Sequence, residues 1–254
     1  MVDLETLLGP WRLATPAFTE IAHHNRASRT WWVDSERGRQ VAKLAFDRRC
    51  FVEPGLRVAA AVTEVGIATG RPVPTEEGDL CLEVDRGAER PWTIALLEAA
   101  PGDPLSPSAL DADAVAGRVL GRVHGFLAER SRREWVPADL LEWLAGHANE
   151  TANRAAAEFA ATIAEHRHRL RFSVVYGDPS PEVLVATDGS LSLIDWGTPS
   201  WGPQLYDVAV WLRWLGERPG AGSEREGRFL ATYGRPVDGE MLEMFGRCVD
   251  AFGF

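Results

Sequence analysis

The chain has 254 residues, of which 45% are hydrophobic and 25% are charged, and its formal net charge is −10. This composition is typical of a globular protein, and the negative charge excludes broad electrostatic attraction to nucleic acid or to an anionic membrane surface. Three scattered cysteines, and the lack of a signal-peptide or membrane-span pattern, predict a cytoplasmic protein without a disulfide framework.

The first hundred residues predict a small sheet with one helix. Segments rich in β-branched and aromatic residues are bounded by turn residues, which is typical of strands. The helix contains an apolar run that ends near Gly66 or Gly70. Strands are expected over 29–34, 40–46, 79–84 and 92–98, and the helix over 55–68.

The pattern changes to helix after a connector rich in turn residues, 99–105. We therefore predict an N-terminal lobe over residues 1–100 and a helical C-terminal lobe over residues 101–254. This is an α+β organisation, and ligands favour the cleft between such lobes. In the second lobe, helices are expected over 108–130, within 135–170, over 206–216 and over 224–254, and strands over 172–176, 183–186 and 191–194.

The single lysine of the chain, Lys43, lies in an apolar strand, whereas every other basic side chain except the histidines is arginine. An ammonium group is a compact point charge that can meet a nucleotide phosphate, whereas a guanidinium is a broad fork. The position therefore suggests a phosphate-binding role for Lys43. The alternative is a lysine that extends from an edge strand into water.

Two aspartates follow predicted strands, Asp178 in Tyr-Gly-Asp-Pro and Asp195 in Leu-Ile-Asp-Trp-Gly. The two aspartates flank a hairpin predicted from strands 183–186 and 191–194, and we expect its short turn to bring the two outer ends, and with them the two carboxylates, together at one cleft. Such a pair can hold Mg²⁺ and accept a hydroxyl proton, which are requirements of phosphoryl transfer. For either aspartate alone, a turn residue that caps backbone amides is the simpler interpretation.

The segments around these aspartates, Val175–Val185 and Leu193–Ala209, resemble the aminoglycoside phosphotransferase and choline kinase-like family. That family has His-Gly-Asp, a short loop containing Asn, then Ile-Asp-Phe/Trp and a Gly-Pro…Asp-Leu-Ala segment. Val41-Ala-Lys43 and Leu120-Gly-Arg-Val-His124 also occur in the family order, so the similarity covers most of the chain. The resemblance implies a bilobal protein-kinase-like fold, with a small antiparallel-sheet N-lobe that has one helix, and a mainly helical C-lobe.

The resemblance also implies ATP and Mg²⁺ as cofactors and a role for each matching residue. Lys43 would pair with the α- and β-phosphates of ATP. Asp178 would orient or deprotonate the acceptor hydroxyl, and Asp195 would ligate Mg²⁺. Glu98 and Ala100 would offer backbone groups to adenine.

A glutamate that braces Lys43 is implied as well. Glu64 lies within the predicted helix and Glu53 lies just before it, and of the two Glu64 is preferred. A position on the solvated face of the helix is the alternative interpretation of Glu64.

The sequence departs from the family pattern at three places. Val183 stands where the family has asparagine, and Tyr176 stands where it has histidine. The segment that should cover the phosphates, 20–29, has no glycine, so its backbone cannot approach phosphate as a glycine-rich turn does. Glu182 or Ser180 is expected to replace the asparagine at the metal.

Two functions are therefore expected. The first is an ATP- and Mg²⁺-dependent phosphotransferase that moves the γ-phosphate to a hydroxyl of a small molecule, aminoglycoside-like or another metabolite, or of a peptide serine or threonine. The second is a pseudokinase-like binding module that holds a nucleotide, a peptide or a partner enzyme without turnover. Lys43, Asp178 and Asp195 favour the first, and the departures from the family pattern favour the second. His124, on an apolar helix, is expected to pack in the core.

Overall fold

An antiparallel sheet dominates the N-terminal part of the chain and helices dominate the C-terminal part, which confirms the predicted α+β class. The structure, a computed structural model, describes residues 3–21, 27–85, 91–137, 139–140, 142 and 150–252. Within these ranges, no helix is long and apolar enough to cross a bilayer.

The N-terminal sheet is built from six strands of the described residues: β1 Ala17–Ile21, β2 Ser28–Ser35, β3 Gly38–Ala45, β4 Pro72–Val73, β5 Leu82–Val84 and β6 Trp92–Glu98. Their order is β1-β2-β3-β6-β4, with β5 also paired to β6, and every pairing is antiparallel. The turn between β2 and β3 ends at Gly38, whose φ of 85° costs glycine little. Strand β6 has the predicted bounds.

Helix α2 spans Arg49–Val62, continues as a 3₁₀ turn and ends at Gly66, which is left-handed with φ of 71°. The predicted end near Gly66 is confirmed, because glycine adopts this conformation at low cost. The predicted start at residue 55 is wrong, because Pro54 and Gly55 lie inside the helix rather than before it. Proline removes a backbone donor from a helix interior, so the stability of this segment depends on its packing.

A short N-terminal segment covers the face of the sheet opposite Lys43. Along β3, Ala42 is fully buried and Lys43 is half-exposed, because successive side chains point to opposite faces. Helix α1, Leu4–Leu8, packs on the buried face. Trp11, which follows α1, is buried there and donates its Nε1–H to the carbonyl of Val73 at 2.7 Å. This segment was not predicted from the sequence, and it leaves the opposite face of the sheet as the cleft face.

The C-terminal part contains five further helices of the described residues and two small sheets. The helices are α3 Ala112–Arg130, α4 Glu150–Glu165, α5 Leu205–Trp214, α6 Glu224–Tyr233 and α7 Gly239–Phe252. The strands are β7 Asp103–Pro104, β8 Phe172–Val175, β9 Glu182–Val185, β10 Leu191–Ile194 and β11 Ser200–Pro203. One sheet has the order β10-β9-β7, and the other pairs β11 with β8.

The hairpin that the two aspartates flank is present as the antiparallel strands β9 and β10, which confirms the predicted reason for their convergence. Strand β8, which precedes Asp178, pairs with β11, whereas β10, which precedes Asp195, pairs with β9. Ile194 lies opposite Glu182 in the β9–β10 register, so Asp195 emerges beside the loop that carries Asp178. The convergence therefore depends on the hairpin and on this loop, which joins β8 to β9.

The main apolar core joins helix α2 to the C-terminal helices. Val58, Ala59 and Val62 of α2 are buried in one cluster with residues of α3, α5, α6 and α7. The buried side chains of the sheet form a separate cluster with α1 and Trp11. Helix α2 therefore packs with the C-terminal part of the chain, although it lies between strands of the N-terminal sheet in sequence.

Candidate functional site

Lys43 and Asp195 form an ion pair across 152 residues of sequence. Lys43 is near the middle of β3 on the cleft face, and its Nζ donates to Oδ1 of Asp195. Both side chains are half-buried. Each is therefore shielded enough for the attraction to matter, while remaining open to a ligand in the cleft.

The backbone of Asp195 is held in an unusual conformation at the end of β10. Its φ is 58°, in the left-handed region that few residues other than glycine adopt. Tyr176 donates its hydroxyl hydrogen to the carbonyl of Ile194 at 2.7 Å, and the indole of Trp196 donates to the carbonyl of Leu193 at 2.9 Å. These contacts fix the residues on either side of the carboxylate, and they explain how the left-handed conformation is stabilised.

The carboxyl group of Asp178 lies in an environment that opposes ionisation. Burial raises its pKa from 3.8 to about 6, and the nearby charges of Asp195 and Glu182 act in the same direction. The hydrogen bond from the Ser180 amide, at 2.8 Å, and the charge of Lys43 lower the pKa and offset part of the rise. The structure thus brings Lys43, Asp178 and Asp195 into one site, as predicted.

A buried aspartate supports the loop that carries Asp178. Asp207 accepts hydrogen bonds from the amides of Tyr176 and Gly177, at 2.7 and 3.0 Å, and it is fully buried. Its carboxylate also contacts Nε2 of His124 at 2.9 Å. Because a buried carboxylate is costly without partners, this network holds the loop in one conformation.

The role of Asp207 was not predicted from the sequence, although its motif was noticed. His124 is completely buried, as expected, and its Nδ1 lies 2.9 Å from the hydroxyl of Tyr233. An aspartate in the otherwise apolar start of Leu205–Trp214 was the available signal. A carboxylate in such a place requires buried donors, and the His124 ring and two loop amides supply them.

The structure does not bring the predicted glutamate to Lys43. Glu64 lies in the 3₁₀ turn after α2, is well exposed, and is 3.7 Å from a guanidinium nitrogen of Arg130. Glu53, the other candidate, is held by Arg49 at 2.6 Å and by Arg57. The prediction that Glu64 braces Lys43 is therefore wrong: the buried face of α2 is apolar, and the glutamates near it have arginine partners.

The predicted adenine contacts lie where β6 leaves the sheet. Glu98 is the last residue of β6, and Ala100 follows in the connector. The amide of Glu98 donates to the carbonyl of Arg71 at 2.8 Å, so only its carbonyl can be offered to a base. Gly70, with φ of 64°, lets the chain pass close to that carbonyl. A role for Glu98 and Ala100 in nucleotide binding stays a prediction.

Glu182, the residue predicted to replace the family's asparagine, lies near Asp178. Glu182 is exposed at the start of β9, close enough to Asp178 to raise its pKa. Val183 is buried in the main core and faces away from the cleft chemistry. In the described ranges, no group of three or more His, Cys, Asp or Glu side chains is arranged to hold a metal. The prediction that Asp195 and Glu182 hold a metal, with Asp178 acting on the acceptor, stays a prediction.

The overall fold of the chain is similar to that of solved kinase structures. An amicoumacin kinase in complex with AMP-PNP, Ca²⁺ and Ami matches with a TM-score of 0.71 and 14% identity, over 99% of this chain and 84% of that one. A microcompartment-associated aminopropanol kinase matches with a TM-score of 0.67 and 15% identity, over 98% and 92%. A choline kinase from Streptococcus pneumoniae matches with a TM-score of 0.65 and 10% identity, over 98% and 85%. The fold is therefore the predicted bilobal kinase-like fold.

The family follows from the sequence itself. The model of the phosphotransferase enzyme family matches residues 19–242, which is most of the chain. The protein belongs to this family. A search among curated protein sequences finds no significant match.

Proposed function

We propose that this protein transfers the γ-phosphate of ATP, with Mg²⁺, to a hydroxyl group of a small molecule. The observation that carries the proposal is the convergence of Lys43 and Asp195 in one ion pair beside Asp178. These three groups supply a cation for phosphate, a carboxylate for metal and a carboxylate for the acceptor. Phosphoryl transfer needs positioning and charge neutralisation more than covalent chemistry from the protein.

The donor side of the site rests on Lys43 and Asp195. Carboxylate oxygens suit Mg²⁺, which typically takes one or two of them together with phosphate oxygens, so the available carboxylates fit this ion. Asp195 would hold it, with Asp178 or Glu182 beside it, and the ion would neutralise charge on the phosphates. Lys43 lies on the cleft face of β3. There its ammonium group can release the Asp195 carboxylate and bind a phosphate group of the nucleotide.

The acceptor side rests on Asp178. A carboxyl group with a pKa of about 6 is ionised at neutral pH and is a better proton acceptor than an ordinary aspartate. Asp178 therefore orients the acceptor hydroxyl and takes up its proton as the oxygen attacks phosphorus. Asp207 maintains the loop geometry through the Tyr176 and Gly177 amides.

The acceptor class is proposed by analogy with the structural relatives. Their names give amicoumacin, aminopropanol and choline as the molecules concerned, and all are small. A small hydroxylated metabolite or antibiotic is accordingly the first choice here, and a peptide serine or threonine is a separate class to be tested. Because the proposed reaction consumes ATP, a cytoplasmic location forms part of the same proposal.

The proposal is tested by nucleotide binding and by transfer together. Calorimetric titration with ATP should show tight binding that requires Mg²⁺, and this Mg²⁺-dependent tight binding should be lost in Asp195→Ala. Transfer from radiolabelled ATP to a panel of amino alcohols, aminoglycosides and peptides should identify the acceptor. Asp178→Asn should eliminate transfer while leaving ATP affinity nearly unchanged. Simultaneous loss of affinity and transfer in Asp178→Asn would assign Asp178 a structural role instead.

A second candidate, a binding module without turnover, is favoured by the position of Val183. Its side chain is 1% exposed and packs in the main core, so the residue that occupies the family's asparagine position cannot ligate a metal. Under this alternative, ATP binds equally well with and without Mg²⁺, and no acceptor in the panel is phosphorylated. Glu182→Gln separates the two functions further, because it should weaken the Mg²⁺ dependence only in the enzyme.

A further inference from the structure

Helix α2 supplies no charged partner to Lys43, so another feature must position the ion pair. The glutamates nearest to α2 have arginine partners: Glu53 with Arg49, and Glu64 with Arg130. Asp195 is the side chain that neutralises Lys43. What holds Asp195 in place is therefore as important to the site as the ion pair itself.

The backbone of helix α2 comes close to the residue after Asp195 at Gly55. A Cβ atom at Gly55 would overlap the carbonyl oxygen of Trp196 and lie 3.5 Å from Cδ of Pro199. We propose that Gly55 is a positioning residue for Asp195: it lets the backbone of helix α2 serve as a fixed support for the Trp196 peptide. This inference rests on the proposed function, because it assigns Gly55 to the metal and nucleotide site.

Helix α2 is anchored to the C-terminal part of the chain by residues that follow the contact at Gly55. Val58 and Val62 are completely buried in the main core. Beyond the helix, Ala68 pairs with β10, the strand that ends just before Asp195: it donates to Leu191 at 3.2 Å and accepts from Leu193 at 2.8 Å. Helix α2 and β10 therefore hold Asp195 from two directions.

The residue type at position 55 agrees with this role. Glycine is among the least favourable residues in a helix interior, and here it follows Pro54, which is less favourable still. Gly227, by comparison, lies in helix α6, where a Cβ atom would have nothing within 4 Å. At Gly55 the absence of a side chain is required by the Trp196 carbonyl, whereas at Gly227 no such requirement exists.

The test uses the fact that Lys43 is the only lysine of the chain. An amine-reactive ester labels Lys43 and the N-terminal amine, and mass spectrometry of the peptide that contains Lys43 gives its labelling rate without any nucleotide. An ammonium group held by Asp195 reacts slowly. Gly55→Ala should label several-fold faster than wild type, toward the rate of Asp195→Ala, and Gly227→Ala should label at the wild-type rate.

Two further measurements, hydrogen exchange and ADP binding, distinguish a failure of the Gly55 inference from a failure of the proposed function. In the wild type, the backbone amides in 193–199 should exchange hydrogen as slowly as those of helix α2. Faster exchange in 193–199 than in helix α2 would overturn the inference. This measurement needs no variant, so it applies even if Gly55→Ala does not fold. A wild-type labelling rate in folded Gly55→Ala would also overturn the inference. If the variant labels faster but wild type binds no ADP with Mg²⁺, the support by Gly55 stands and the proposed function fails. If the support by Gly55 and the proposed function are both correct, Gly55→Ala should weaken ADP binding several-fold in the presence of Mg²⁺ and little in its absence.

Discussion

Asp178→Asn should stabilise the folded protein at pH 8, although it removes the group proposed to act on the acceptor. Burial raises the pKa of Asp178 from 3.8 to about 6, and the charges of Asp195 and Glu182 contribute. Above pH 6 the folded state therefore contains an ionised carboxyl group in a place that favours the neutral form. Asparagine retains an oxygen to accept the Ser180 amide, so the substitution removes charge with little change of shape.

The size and pH dependence of the effect follow from proton linkage. A difference between 3.8 in the unfolded state and about 6 in the folded state corresponds to about 3 kcal/mol, at about 1.4 kcal/mol for each pKa unit. Below pH 3.8 the carboxyl of Asp178 is protonated in both states, so variant and wild type should be equally stable. The gain should grow as the pH rises toward 6 and remain constant above it. For a chain of this length, about 3 kcal/mol raises Tm by roughly 6–10 °C.

Thermal unfolding of both proteins at several pH values, followed by circular dichroism, measures this gain. Asp188→Asn is the matched control, because Asp188 also accepts an amide two residues later, from Ser190 at 2.9 Å. That hydrogen bond lowers the pKa of the exposed Asp188, so this substitution should reduce stability slightly at pH 8. A raised pKa of Asp178 would be contradicted by an Asp178→Asn variant less stable than wild type at pH 8, or by a gain in stability that is the same at pH 4 and pH 8.

Three other results are expected. Transfer should decline below about pH 6, because protonated Asp178 cannot accept a proton; a pH–rate profile flat to pH 5 would contradict its role as base. Tyr176→Phe should lower stability by about 1–2 kcal/mol in urea unfolding and weaken Mg²⁺–ATP binding, since it leaves the Ile194 carbonyl without its donor. Gly102→Ala should destabilise more than Gly78→Ala by about 1 kcal/mol or more. Both glycines have positive φ, but only at Gly102 would a Cβ overlap backbone atoms of residue 185, and equal losses in the two variants would argue against that contact.

The elements that sequence reasoning located well are those whose stability is local in origin. Strand β6 has the predicted bounds 92–98, and the end of helix α2 at Gly66 was identified, because apolar periodicity and a glycine cap are visible in a short window. The convergence of Lys43 and Asp195 on one site was anticipated through the family resemblance, but their direct ion pair was not predicted. No local pattern links side chains 152 residues apart.

The elements that were missed depend on distant parts of the chain. The segment around Trp11 is stabilised by burial against the sheet and by the Val73 carbonyl, neither of which is encoded nearby. The start of α2 was misplaced because Pro54 and Gly55 are helix breakers by local rules, and tertiary packing overrides them. Glu64 was assigned to Lys43 by its position on a predicted helix. In the structure its side chain is exposed and lies 3.7 Å from Arg130 instead.

The two carboxylates of the proposed site, Asp178 and Asp195, also oppose the stability of the fold. Asp178 is an unfavourable group where it lies, as its raised pKa shows, and Asp195 adopts a backbone conformation that costs energy. A chain selected for stability alone would neutralise the first and replace the second by glycine. The folded structure instead supports both with hydrogen bonds, from the Tyr176 hydroxyl to the Ile194 carbonyl and from the Gly177 amide to the buried carboxylate of Asp207. Carboxylates in such unfavourable positions are typical of functional sites, and a divalent cation with phosphate would compensate their charge under the proposed function.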